Sequence, residues 1–287
     1  MRAKAYLKEK LEEEVLLYER KVEGLDKETF NTILDRWSDD SLNLEEHRFE
    51  LINRLIPKAK EKKILDMAAG CGSFVIQGLR NGYDTYGVEP EEWKQELIDI
   101  KFKENNYNSD WRGRLQKGIG EELPFSDNYF DIFDSWQTIE HVQDQEKCIK
   151  EFYRVLKPGG MGILRGPSYW CFNEGHYRML WFPMMNPKTK FAKWYVSKIR
   201  RRPTGGLQTF ITVSPMKIKR YARKAGFKIV NIKRKQVYDG AIRRLPFLKN
   251  KLFTPVLFGI YVLWDFIRLI KNFGIGQRTI SYLLIKK

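Results

Sequence analysis

Cysteine and histidine are both scarce, with three of each in 287 residues. Cys71, Cys148 and Cys171 lie far apart and form no C-x-x-C pair. That argues against a disulfide framework and a cysteine-built zinc site, and it fits a reduced, cytoplasmic compartment. No metal-ligand cluster and no phosphate-cradling lysine motif is present. The longest apolar run, Leu252–Trp264, has 13 residues, too short to cross a bilayer as a helix. The opening Met1-Arg2-Ala3-Lys4 leads into a charged segment, unlike a secretory signal. Acidic residues are almost missing from the second half. Residues 151–287 hold 29 Lys/Arg against 4 Asp/Glu, whereas residues 1–150 hold 23 against 32. The basic half therefore suits an anionic partner, either phosphate-rich lipid or nucleic acid.

What is present centres on Lys62-Lys63-Ile64-Leu65-Asp66-Met67-Ala68-Ala69-Gly70-Cys71-Gly72-Ser73-Phe74. A short apolar run ends in an acid, small residues follow, and helical spacing resumes at Val75. The pattern predicts strand, tight turn and helix, with small residues letting backbone approach a ligand. A second strand, Thr85–Val88, ends in Glu89-Pro90. This acid lies about 20 residues past the glycine loop, the separation expected of a carboxylate that binds ribose hydroxyls. Further strands are predicted at Leu115–Ile119, Tyr129–Phe133 and Met161–Leu164, with a helix at Gln145–Leu156. Alternating strands and helices imply a parallel sheet with ligands at the carboxyl ends of the strands. Upstream, residues 3–23 and Leu44–Ile56 read as helices, and the stretch around Trp37 and Ser38-Asp39-Asp40-Ser41 reads as a loop. Downstream, Ser214-Pro215 starts a helix that Gly226 stops.

With these segments in order, the chain resembles the class I S-adenosylmethionine-dependent methyltransferases. It is most similar to the type 11-like branch that modifies small molecules, quinones, sterols and lipids. The resemblance covers residues 62–166. It rests on Ile64-Leu65-Asp66 with Gly70-Cys71-Gly72, Gly87-Val88-Glu89, Glu122-Leu123-Pro124-Phe125 with Phe130-Asp131, Ile139-Glu140-His141-Val142, and Arg154-Val155-Leu156-Lys157-Pro158-Gly159-Gly160. It implies an α/β, Rossmann-like doubly wound sheet, mostly parallel, with Phe227–Ile232 as sixth strand and Thr279–Ile285 as a final antiparallel strand. It implies S-adenosylmethionine as cofactor. Asp66, Ala68, Gly70 and Gly72 would shape the loop around its methionine part. Glu89 would hold the ribose, with Pro90, Gly120 and Glu121 near the adenine and Ser135, Trp136 and Gln137 along the floor. Ala68 replaces a common glycine, and Ile119 stands where an acid often receives the adenine.

The expected organisation is a helical cap at 1–57, a cofactor-binding core at 58–166 continued at 214–234 and 279–287, and two insertions at 167–213 and 235–278. Leaving from the carboxyl-end side of the sheet, the insertions are candidates for a substrate lid. The first carries many aromatics and Arg200-Arg201-Arg202, and the second carries the 252–264 run flanked by bases. Aromatics with flanking bases suit a membrane interface, and a private core is the competing role for each ring. His141 is the first candidate for a base that takes the acceptor's proton, against a structural tie of its loop. His176, beside Glu174, is the second, and His47 reads as structural. The activity expected is methyl transfer to a small, lipid-like or lipid-linked acceptor, by a protein peripheral to an anionic membrane. A nucleic-acid methyltransferase or RNA-binding protein using the basic half is the alternative. Neither the acceptor atom nor the oligomeric state follows from the sequence.

Overall fold

The computed structural model describes residues 2–19, 27–235 and 278–287, together with Pro255, Gly259 and Leu263 in helical conformation. The rest of the second insertion, including nearly all of the 252–264 run, lies outside the described residues. In chain order the elements are α1 (Arg2–Val15), α2 (Lys27–Ser38), α3 (Glu46–Leu55), β1 (Lys63–Asp66), α4 (Ser73–Arg80), β2 (Asp84–Val88), α5 (Glu92–Glu104), α6 (Ser109–Arg112) and β3 (Leu115–Gln116). There follow β4 (Phe130–Trp136), α7 (Gln145–Val155), β5 (Leu156–Ser168), β6 (Asn173–Glu174), β7 (Met179–Leu180), α8 (Lys190–Trp194), α9 (Pro215–Ala225), β8 (Phe227–Asn231) and β9 (Arg278–Lys286).

Seven strands form one sheet in the order β3-β2-β1-β4-β5-β9-β8. The pairs from β3 through β5 are parallel, and β9 runs antiparallel to both β5 and β8. The doubly wound sheet with a final antiparallel strand is therefore as expected. Ile64 and Leu65 are both fully buried, as suits a central parallel strand covered on both faces. Gly162 of β5 lies so close to the ring of Phe133 that a Cβ there would come within 2.0 Å of it. Two large core clusters cover the faces of the sheet, one around Phe133, Phe152 and Tyr282 and the other around Phe74, Ile76 and Ile163.

Chain order reverses between β1 and β4, with β2 and β3 on one side and β5 on the other. That switch point, at the carboxyl ends of the strands, is where open α/β sheets bind ligands.

Several local expectations need correcting. The stretch read as a loop around Trp37 is α2, with Asp39 as the cap of the short turn after it. The first helix ends at Val15, short of the expected 23. The third strand stops at Gln116, and Ile119 instead bridges to Glu122. The fourth runs on through Trp136 and the fifth through Ser168, so the first insertion starts two residues later than 167. The α9 helix matches closely: Ser214 accepts from the Lys217 N–H, Pro215 occupies the first turn, and Gly226 stops it at φ 106°.

Between β5 and α9 the insertion is a small hairpin, β6–β7, followed by the short α8. Its aromatics divide in two. Tyr169, Tyr177, Trp181, Tyr195 and Phe210 are buried and join the main core. Trp170, Phe172, Phe182, Phe191 and Trp194 are exposed.

Candidate active site

The loop after β1 closes on two left-handed glycines, Gly70 at φ 54° and Gly72 at φ 79°, a conformation that L side chains resist. At Gly72 a Cβ would also press on Ile98 and Leu115 at 3.2 Å. The loop is fixed from behind by Lys101 of α5, which is wholly buried. Its Nζ bonds the Cys71 carbonyl at 2.9 Å, Asp40 at 2.8 Å and Ser73 Oγ at 3.2 Å. At the end of β2, Glu89 is buried, and its Oε2 accepts the Gly70 N–H at 2.9 Å. Its Oε1 accepts from Glu91 N–H at 3.2 Å. Burial raises the Glu89 carboxyl above its ordinary range, against the pull of Lys94 and these N–H groups. A carboxylate has about four lone-pair sites, so one N–H on each oxygen leaves capacity for two hydroxyls.

These loops and the one after β4 enclose a cleft of about 840 Å³. Of the residues predicted for the site, Ala68, Gly70, Glu89, Pro90, Gly120, Glu121, Trp136, Gln137 and His141 line it. The others are placed elsewhere. Gly72 caps α4, and Asp66 sits behind the wall. Ser135, expected on the floor, is turned into the sheet and fully buried, its Oγ without a partner among the described residues. The cause is the longer β4: alternation along a strand turns Trp136 away from Ser135 and toward the cleft. Gln137 leaves the strand at φ 54°, an uncommon left-handed position for a side-chain-bearing residue. Glu121 lines the cleft, but its Oε1 already accepts the N–H groups of Gln143 and Asp144 at 2.5 and 3.0 Å.

No cleft-lining residue comes from the 167–213 insertion. The wall beside the glycine loop is instead N-terminal: Arg36 and Trp37 from α2, then Glu45 and Arg48. Sequence reasoning missed Arg48. It is 7% exposed and binds Asp66 at 2.7 Å through Nη2, Asp134 at 2.7 Å through Nε, and Glu45 at 3.4 Å. Its guanidinium also lies 3.9 Å over the Phe74 ring. One arginine thus serves three buried acids. Burial pushes the Asp66 carboxyl up to about 7 even so, with Arg48 opposing and Asp134 adding to the rise. Five carboxylates and four cationic side chains line the cleft, and Asp66 and Asp134 stand behind Arg48. The site therefore has a surplus of negative charge. Among the described residues no group of three or more His, Cys, Asp or Glu could hold a metal ion.

His141 and His176 are brought together, their rings 5.2 Å apart and edge to face. His141 Nδ1 contacts the Thr209 carbonyl at 2.8 Å. A carbonyl can only accept, so Nδ1 carries the proton and Nε2 keeps its lone pair. His176 Nδ1 donates to Glu174 Oε1 at 2.6 Å, and Tyr169 and the Tyr177 N–H also donate to that buried carboxylate. The two imidazoles are driven in opposite directions. Desolvation by the crowded cleft wall, aided by His176, takes His141 down to about 4, although the residue keeps a solvent-exposed face. Glu174 overrides burial and raises His176. Such divergence separates the roles of neighbouring titratable groups. His141 belongs to the cleft wall, whereas His176 lies behind it. His47, read as structural, sits 5.1 Å edge-on to the cleft residue Trp136.

The family model described as "Methyltransferase domain" matches residues 65–164, which contain β1, the glycine loop, Glu89 and β4. Residues 65–164 are a methyltransferase domain. The chain is similar to the ubiquinone/menaquinone biosynthesis C-methyltransferase of Rickettsia felis, 30% identical over 50% of this chain and 60% of that protein. The ubiquinone biosynthesis O-methyltransferase of Pseudomonas fluorescens is 24% identical over 60% of this chain and 66% of its own length. The demethylmenaquinone methyltransferase of Lactobacillus johnsonii is 27% identical over 62% and 72%. The chain thus spans between 60% and 72% of the length of these curated relatives.

Among solved structures, the phosphoethanolamine N-methyltransferase 2 of Haemonchus contortus is similar with a TM-score of 0.51 at 17% identity, over 84% of this chain and 53% of that one. An S-adenosylmethionine-dependent methyltransferase of Mesorhizobium loti gives 0.51 at 11% identity, over 83% and 97%. At these identities the structural likeness concerns the methyltransferase fold.

Proposed function

We propose that the protein transfers the methyl group of S-adenosylmethionine to a small, lipid-like or lipid-linked acceptor, working on the cytoplasmic side at a membrane surface. The observation that carries the cofactor reading is the acid-rich cleft at the switch point, floored by left-handed glycines, with Glu89 anchored on Gly70 N–H. S-adenosylmethionine is a net cation, and a surplus of carboxylates suits it. The same surplus would repel a polyphosphate cofactor. In this reading Glu89 holds the ribose hydroxyls, and Ala68 and Gly70 bring backbone to the methionine part. Pro90, Gly120 and Glu121 border the adenine, and Gln137 lies at the methionine end. Asp66 acts at one remove, through Arg48. The lipid-like acceptor is supported by relatives whose names place them in quinone biosynthesis, and the membrane by the basic second half.

The cofactor, when bound, supplies an activated methyl on a sulfonium, so the protein's part is alignment and exclusion of water. Where the acceptor is a hydroxyl or an acidic carbon, His141 Nε2 accepts its proton as the new bond to carbon forms. Thr209 fixes the tautomer, and the low basicity keeps the ring neutral at cellular pH. His176, held by Glu174, keeps it so.

Calorimetric titration with S-adenosylhomocysteine tests the site. Wild type should bind, and Glu89→Ala should lose measurable binding. His141→Gln should bind normally while turnover falls by ~10²–10⁴-fold, the range of general-base contributions. Undiminished binding by Glu89→Ala would refute the assignment.

A further inference from the structure

Inside the first insertion one surface is both apolar and free of acid. Phe172, Leu180, Phe182, Phe191, Trp194 and Ile199 are each between 44% and 55% exposed. Three of them form a ring-on-ring patch, and Phe172 and Leu180 lie at the neighbouring β6–β7 hairpin, where Asn173 pairs with Leu180. Phe182 lies 5.9 Å from Phe191, which lies 5.7 Å from Trp194. The patch is held from beneath: the Tyr195 ring packs 5.4 Å from Phe182 and its hydroxyl donates to the Leu180 carbonyl at 2.8 Å. The short helix α8 buries Ala192 and turns Phe191 and Trp194 outward. The exposed rings are therefore mounted on packed core.

Charge decides what covers this surface. Between Glu174 and Asp239 the sequence contains no acidic residue and 17 lysines and arginines. Glu174 itself is buried and engaged by His176. Lys188, Lys190, Lys193 and Lys198 lie around the rings and are exposed. A second copy of the chain would bring the same bases against these. Single-stranded nucleic acid would need open ring faces, yet Phe182, Phe191 and Trp194 pack on one another, and Leu180 and Ile199 offer nothing to stack. Contiguous apolar side chains rimmed by lysine match the boundary of an anionic bilayer.

We infer that the Phe182–Phe191–Trp194 patch, with Lys190 and Lys193, docks the protein on an anionic lipid bilayer. The inference rests on the reading of a lipid-like acceptor met at a membrane. It places the contact on the first insertion, which borders the cleft only at His141, through Thr209 and His176.

The test is flotation of the full chain with vesicles of phosphatidylcholine alone or with about one third phosphatidylglycerol, near physiological salt. Wild type should float with the anionic vesicles and stay behind with the neutral ones. Lys190→Gln/Lys193→Gln should lower partitioning roughly 30-fold, from ~1 kcal/mol per base near an anionic surface. Phe182→Ser/Phe191→Ser/Trp194→Ser should lower it at least as far. S-adenosylhomocysteine binding, measured on the same preparations, should be unchanged. That control separates failure of docking from failure of the cofactor site, and the exposed lysines test the inference even where the triple variant misfolds. Three outcomes overturn it: wild type that ignores anionic vesicles, variants that float like wild type, or a wild-type dimer that the triple variant dissolves. Binding of homopolymer RNA in place of vesicles overturns it as well.

Discussion

Replacing Arg48 with methionine removes the one cation shared by Glu45, Asp66 and Asp134. Methionine has a similar length, so little cavity is created. The cost comes from carboxylates left without their partner at sites where Asp66 and Asp134 are each 1% exposed. Breaking a buried pair by removing one partner costs ~3–5 kcal/mol. At ~2–4 °C per kcal/mol for a chain approaching this size, the melting temperature should fall by roughly 10 °C. The loss should also depend on pH in a definite direction. Asp66 is already raised to about 7 in the folded protein. A carboxyl whose folded pKa is raised favours folding below its unfolded value near 4 and loses that contribution as pH climbs through the folded value. Without Arg48 its pKa rises further, so the gap between variant and wild type should be smallest near pH 5 and widest near pH 8. Urea denaturation at pH 5, 6.5 and 8 measures this. A deficit below about 1 kcal/mol at pH 8, or one that does not change with pH, would contradict the buried-charge argument.

Three further predictions follow from the same geometry. If His141 is the base, the acid limb of turnover should fall near pH 4, well below the 6.5 of free imidazole, and His176→Gln should move that limb upward by removing the neighbouring cation. In Gly87→Ala the new Cβ would meet Ala69 Cβ at 2.6 Å and Val75 at 2.8 Å. It should cost ~1–3 kcal/mol in thermal unfolding, as overpacking does, and weaken S-adenosylhomocysteine binding through the displaced loop. Lys101→Met should leave Asp40 unpaired, with a loss of ~3–5 kcal/mol, and should loosen the glycine loop whose Cys71 carbonyl it holds. Cofactor titration of the folded fraction checks the second effect.

The parts of the site carried by one loop or one strand end could be read directly from the chain. Gly70, Gly72 and Glu89 sit within about 20 residues of each other, and the Gly70 N–H donates to Glu89, a bond the spacing alone did not predict. The parallel sheet followed from the alternation of strands and helices, and the antiparallel last strand from the family resemblance. What escaped was long-range or hidden by local signals. Arg48 meets acids 3, 18 and 86 residues away in sequence, and no local pattern links them. A signal did exist, since Arg48 lies on the face of α3 that Ile52 also occupies, one turn away. The α2 helix was hidden by Ser38-Asp39-Asp40-Ser41, which reads as a turn. Yet Phe30, Ile33, Leu34 and Trp37 ahead of it keep helical spacing. Ser135 was misplaced because β4 runs past its expected end, and in a strand one residue of error exchanges inside for outside. The aromatic insertion could not be apportioned from composition. Tyr177 and Trp181 entered the core, while Phe182 and Trp194, close by in sequence, face solvent.

The central claim is methyl transfer to a lipid-like acceptor. The most direct measurement is to incubate the purified protein with methyl-labelled S-adenosylmethionine and total cell extract, then partition the label among organic, aqueous and nucleic-acid fractions. Label in the organic phase, lost in Glu89→Ala and in His141→Gln, is the predicted result. Label in nucleic acid, or none above the Glu89→Ala background, would contradict it.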